Sequence, residues 1–194
     1  NKPPVDFDKF ASEKSILFIT TSPVKKALHG LANIFVSQAI SELFTIADES
    51  AAGALEIPTD IIFDDFATGA KVSDMPEKLS ICRAKGIAFS GILLQSESQL
   101  KRMYGEYEAI EIIDQCDSYV FFGGNNYETA KALSLKMNVP LDEILYLPVG
   151  RTIVFRRGQK PVFSTRYDIF HDEFYQRITQ SHTGQKDDQW SKDR

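Results

Sequence analysis

Ile61-Ile62-Phe63-Asp64-Asp65-Phe66 is the stretch that decides the fold: three apolar residues run without a break into two adjacent carboxylates. Apolar runs without polar alternation mark strands buried on both faces, as in a parallel sheet covered by helices. A strand of that kind that ends in acids delivers negative charge to the crevice at the carboxyl edge of an open α/β sheet, where ligands bind. A carboxylate at such a tip, as Asp64 offers, can hold a metal ion. The adjacent acid, Asp65, can orient or activate a water. The same pattern also arises wherever a strand gives way to a loop or a helix cap, so the neighbouring strand tips carry the decision.

Working outward, Ile87 to Leu94 (IAFSGILL) reads as the next strand and ends in Gln95 and Ser96, with a helical stretch from Glu77 to Lys85 between the two strands. A glutamine at that tip can reach a phosphate or a water, the position of a sensor; otherwise it is a polar residue that starts a loop. Arg83 precedes this strand. It is either an arginine that reaches a neighbouring subunit's nucleotide or a solvated cation that complements a helix end. Tyr119 to Phe122 reads as a further strand closed by Gly123 and Gly124, and Asn125 with Glu128 has the form of a capping box. Upstream, Ser15 to Thr20 (SILFIT) reads as a buried strand, and Pro23 opens a long apolar helix from Val24 to about Ala47. Leu100 to Asp114 reads as helical with an interruption at Gly105. Thr152 to Phe155 and Pro161 to Thr165 read as a hairpin around Arg156, Arg157, Gly158, Gln159 and Lys160.

The expectation is therefore an α/β fold in which Ser15–Thr20, Thr59–Phe63, Ile87–Leu94 and Tyr119–Phe122 lie in one mainly parallel sheet. Helices cover both faces, and the fold ends in an antiparallel hairpin. The 194 residues make one soluble domain, with 1–178 as its body and 179–194 as a polar, flexible tail. A net charge of −5 excludes a surface that is basic throughout, so any nucleic-acid contact is local. Cys82 and Cys116 match no metal-ligand spacing and read as reduced core thiols. The apolar runs are strand-sized and broken by charge, from which no membrane span is expected.

The stretch IIFDDFATGAKVSDMPEKLSICRAKGIAFSGILLQSESQLKRMYG (61–105) resembles the nucleotide-binding core of TraG/TraD-type coupling proteins of type IV secretion. FFGGNNYETAKALSLKM and IVFRRGQKPVFSTRYDIF resemble that family's C-terminal segment, so the resemblance runs from Ser15 to Tyr175. It implies the C-terminal portion of a RecA/FtsK-like P-loop motor domain. It further implies a membrane-anchored, hexameric ATPase at the inner face of the plasma membrane, delivering single-stranded DNA with its bound relaxase to the channel proteins. Asp64 would be the magnesium-side acid, Asp65 the catalytic acid, Gln95 the sensor and Arg83 the finger supplied in trans, with ATP and Mg2+ as cofactors. Two departures weigh against activity in the chain by itself. The family usually has glutamate where Asp65 stands, and no G-x-x-x-x-G-K-[ST] occurs in the sequence. Gly123 and Gly124 lack the following lysine and read as a strand-to-helix turn. A chain that begins after the phosphate loop explains this, and the chain alone is then expected to be monomeric, inactive and without bound nucleotide. The alternative is a non-hydrolysing module for docking or assembly of the transfer machinery. A third reading is an unrelated hydrolase using Asp64 and Asp65 to hold a metal.

Overall fold

The computed structural model describes residues 5–21, 27–68 and 71–180. Pro23 and Val24, expected to open the long helix, and residues 181–194 of the expected tail lie outside the described residues.

The chain begins with α1 (Phe7–Ser12), capped by Asp6 through its side chain, and α2 (Ala27–Glu49). β1 (Thr59–Phe63) and β2 (Ile87–Ile92) follow, joined by α3 (Met75–Cys82) and a 3-10 turn (Arg83–Lys85). β1 and β2 pair in parallel, Thr59 opposite Ile87 and Phe63 opposite Ile92. This is the strand, helix, strand unit read from the sequence. Gly86 closes the 3-10 turn with φ 75 against the backbone of Leu55. A side chain there would need both a left-handed backbone and room that Leu55 occupies.

α4 (Glu97–Tyr104) and α5 (Glu106–Gln115) are separated by Gly105 at φ 87, the interruption expected at that residue. They pack with α3 on Phe63, Phe89 and Ile92, burying Leu100, Tyr104, Ala109 and Ile112. A second apolar cluster joins Ala11 of α1 and Leu43 and Ala47 of α2 to Leu55, Cys82 and Ile87. Phe89 packs against both clusters. Cys82 is buried and free, Cys116 half-buried and free, and burial raises both thiols' pKa.

Three expectations are corrected. Tyr119–Phe122 does not extend the parallel sheet: β3 (Ser118–Phe121) pairs antiparallel with β4 (Arg151–Arg156), which pairs antiparallel with β5 (Val162–Thr165). The cause is the return of the chain through α6 (Tyr127–Met137) and α7 (Leu141–Leu145). It sets Tyr119 opposite Phe155 and Phe121 opposite Ile153, and these residues pack with Ala130, Leu133 and Ile144 into a third cluster. The described strands thus form one parallel pair and one antiparallel three-stranded sheet. Ser15–Thr20 carries no regular secondary structure and is not a paired strand, and Ile16 and Phe18 are 79% and 84% exposed. A segment becomes a strand only when a neighbour takes up its backbone groups, and no described strand runs beside this one. Lastly, apolar character is not confined to strand-sized runs, because His29–Glu49 is long and apolar enough to cross a membrane. Ile40, Leu43 and Ala47 of that helix are buried against the body of the fold, whereas Leu31 and Ile34 are exposed. The hairpin at 152–165 is present as expected.

Candidate functional site

The ladder between β1 and β2 continues past the last strand residues. Leu93 N–H donates to Phe63 O at 2.9 Å and Phe66 N–H to Leu93 O at 2.9 Å. This holds the two strand tips together and carries Asp64, Asp65 and Gln95 to the same carboxyl edge, all three exposed. Asp65 adopts the left-handed backbone, φ 50, and its carbonyl accepts from Thr68 N at 3.0 Å and Thr68 Oγ1 at 2.8 Å. Aspartate tolerates this conformation better than most residues, so the turn can present consecutive carboxylates without glycine.

Gln95 Nε2 donates to Asp65 Oδ1 at 3.1 Å. The side chain that meets the glutamine is therefore the second acid of the pair. Behind it, Gln99 Nε2 donates to Gln95 Oε1 at 3.1 Å. Gln99 lies in the first turn of α4, where its N–H donates to Ser96 Oγ, the helix cap, at 3.3 Å. Ser96 Oγ lies 3.0 Å from Ser98 Oγ, which accepts from Asn126 Nδ2 at 3.2 Å. Asn126 Oδ1 in turn caps α6 through Thr129 N–H at 2.9 Å, so the cap expected at Asn125 sits one residue later. Tyr119 OH donates to Glu97 Oε1 at 2.9 Å, and burial first, with the Glu97 charge added, raises its pKa far above the ordinary value. The start of α4 is thereby bonded to both sheets.

Arg83 is at the other end. It precedes β2, at the amino edge of the parallel pair, roughly 17 Å from the acids for a five-residue strand. Its guanidinium, 90% exposed, faces Asp117 at 3.7 Å, and Arg157 faces the same carboxylate at 3.4 Å while donating to Asp114 O at 2.8 Å. The structure thus brings Asp64, Asp65 and Gln95 together and keeps Arg83 apart. Gly123, φ 89, leads into the helix capped by Asn126, the turn expected of it.

For a magnesium nucleotide, the residues present fit one half only. The carboxylates of Asp64 and Asp65 are hard oxygen donors suited to magnesium, and the Gln95 amide suits a water or a phosphate oxygen. Among the described residues no group of three or more His, Cys, Asp or Glu converges to hold a metal by itself. No glycine-lysine loop supplies the amides that cradle phosphates.

Residues 58–137 match the family model described as the TraM recognition site of TraD and TraG. No curated protein matches the chain. Among solved structures, the unbound bacterial conjugative coupling protein TrwBdeltaN70 superposes with a TM-score of 0.61 at 22% identity, over 73% of this chain and 38% of that one. Residues 58–137 are thus similar to a C-terminal segment of TraD and TraG. Plasmid coupling protein TrwB bound to the ATP analogue ADPNP gives 0.61 at 23% identity, and TrwB with ADP and Mg2+ gives 0.60 at 23%, each over 73% of this chain and 37% of that one. At these identities the likeness to TrwB is one of fold. The chain spans 37–38% of the length of these structures. Within its matched segment lie Asp64, Asp65, Arg83, Gln95 and Asn126.

Sequence reasoning found the strand tips but missed Gln99 and Asn126. Gln95 and Gln99 are one helical turn apart, flanking the cap Ser96, and that spacing was the available signal.

Proposed function

We propose that the chain is part of a conjugative-transfer coupling ATPase that couples ATP hydrolysis to transfer of DNA and bound relaxase to a type IV secretion channel. Residues 1–178 form the portion of the motor domain that carries the acids. The observation that carries the reading is the convergence of Asp64, Asp65 and Gln95 at one sheet edge, with Gln95 bonded to Asp65. In the complete protein Asp64 serves as the magnesium-side acid, Asp65 as the group that orients water and Gln95 as the sensor. ATP and Mg2+ are the cofactors, with phosphate contacts supplied by a loop outside this chain. Arg83, across the sheet from its own acids and open to solvent, serves a neighbouring subunit of a hexamer. The assembly works in the cytoplasm at the inner face of the membrane.

A second reading, a non-hydrolysing docking or assembly module, is favoured by the description of the matched family model as a recognition site for TraM. Calorimetry and mixed-subunit turnover separate the two. The isolated chain is expected to bind Mg-ATP weakly or not at all. In the full-length protein Asp64→Ala and Arg83→Ala each abolish turnover, and mixing the two variants restores part of it. Tight ATP binding by the isolated chain contradicts the assignment of the missing half. Full turnover by both single variants favours the docking module.

A further inference from the structure

The two amides behind Asp65 form a directed relay. An ionised carboxylate only accepts hydrogen bonds, so Gln95 must turn its Nε2 toward Asp65, and the contact is 3.1 Å. That choice turns Gln95 Oε1 toward Gln99, where only a donor is tolerated, and Gln99 Nε2 supplies it at 3.1 Å. Reversing either amide would set two acceptor oxygens against each other. The orientation chosen at Asp65 is thus passed to Gln99. Gln99 Oε1 is then left buried with no hydrogen-bond partner among the described residues. A glutamine kept for stability alone would bond both ends of its amide or leave one in water, and this one does neither.

We infer that Gln99 is a positioning residue: its amide locks Gln95 in the orientation that meets Asp65, at the expense of its own unpartnered oxygen. The inference rests on the ATPase reading for its consequence in turnover, but the lock itself belongs to this chain and can be measured without nucleotide. Gln99 is anchored for the task by its backbone, which donates to the Ser96 cap, so its side chain leaves α4 from a fixed point.

The test is side-chain amide NMR of the chain, with full-length turnover as a separate arm. In the unaltered chain the Gln95 Nε2 protons exchange more slowly than those of a glutamine without a hydrogen-bond partner. Gln99→Leu and Gln99→Met each remove the donor without supplying an acceptor, and in both the Gln95 protons exchange as freely as those of a glutamine without a hydrogen-bond partner. The thermal midpoint of Gln99→Leu does not fall, because the buried orphan oxygen is removed with the donor. In the full-length protein Gln99→Met lowers kcat by about tenfold or more, with KM for ATP within about twofold. Unchanged Gln95 exchange in both variants overturns the inference. So does a fall in the thermal midpoint of Gln99→Leu with Gln95 exchange unaltered, which would mark Gln99 as structural. Should Gln99→Leu fail to fold, Gln99→Met decides by the same exchange measurement. Absence of ATP turnover in the unaltered full-length protein would defeat the ATPase reading while the exchange result still decides the lock.

Discussion

Replacing Tyr104 by Phe isolates one hydrogen bond that holds the segment before α3 to α4. Tyr104 is 5% exposed, its ring lies 5.5 Å from that of Phe66, and its hydroxyl accepts from Val72 N–H at 3.0 Å. Phenylalanine keeps the ring contact and deletes the acceptor. Val72 is 3% exposed, so its N–H is left buried without a partner, a loss of roughly 1–3 kcal/mol. With a urea slope of about 2 kcal/mol/M, a loss of about 2 kcal/mol moves the midpoint down by about 1 M at constant slope. The substitution also has an alkaline signature. Burial, the largest cause, pushes the Tyr104 pKa up from the ordinary 10.0 to about 12. The unfolded chain ionises through pH 10, whereas the folded chain retains the proton until about 12. The contribution of this hydroxyl is therefore complete below pH 10 and is lost as the pH rises from 10 to about 12. Tyr104→Phe should make that alkaline loss shallower. Urea melts at neutral pH and across the alkaline range test both parts. A midpoint within error of the unaltered chain, with the same alkaline slope, would refute the reasoning.

Other expectations follow from the packing. Gly86→Ala, at φ 75 with Leu55 N 3.3 Å from the new Cβ, should destabilise by more than about 1 kcal/mol in denaturant melts. Leu100→Ala empties a fully buried position between α4 and the parallel strands and should cost about 2–5 kcal/mol by the same measurement. Asp117→Asn should change stability by less than about 1 kcal/mol, because Arg83 and Arg157 meet it at an exposed surface, and chemical denaturation would detect a larger effect.

The parallel unit was legible because its signals are local. The apolar runs at 61–63 and 87–89, the acids after Phe63 and the break at Gly105 depend on neighbours in sequence. What was not legible depends on partners far along the chain. Tyr119–Phe121 has the composition of a strand in either kind of sheet, and its direction is set by the return through α6 and α7 that brings Ile153 beside Phe121. Ser15–Thr20 has the apolar run of a buried strand, but composition cannot supply the pairing that makes one. At the site, the strand tips could be read, but which acid meets Gln95 depends on the left-handed turn at Asp65, and the sequence pattern does not distinguish Asp64 from Asp65.

The carboxyl-edge site is tested most directly by steady-state ATP hydrolysis of the proposed full-length ATPase carrying Asp65→Asn, which keeps the size of the side chain and removes its charge. The account predicts a fall in kcat of at least about a hundredfold with nucleotide affinity retained. Turnover within about twofold of the unaltered protein, under conditions where that protein hydrolyses ATP, would contradict it.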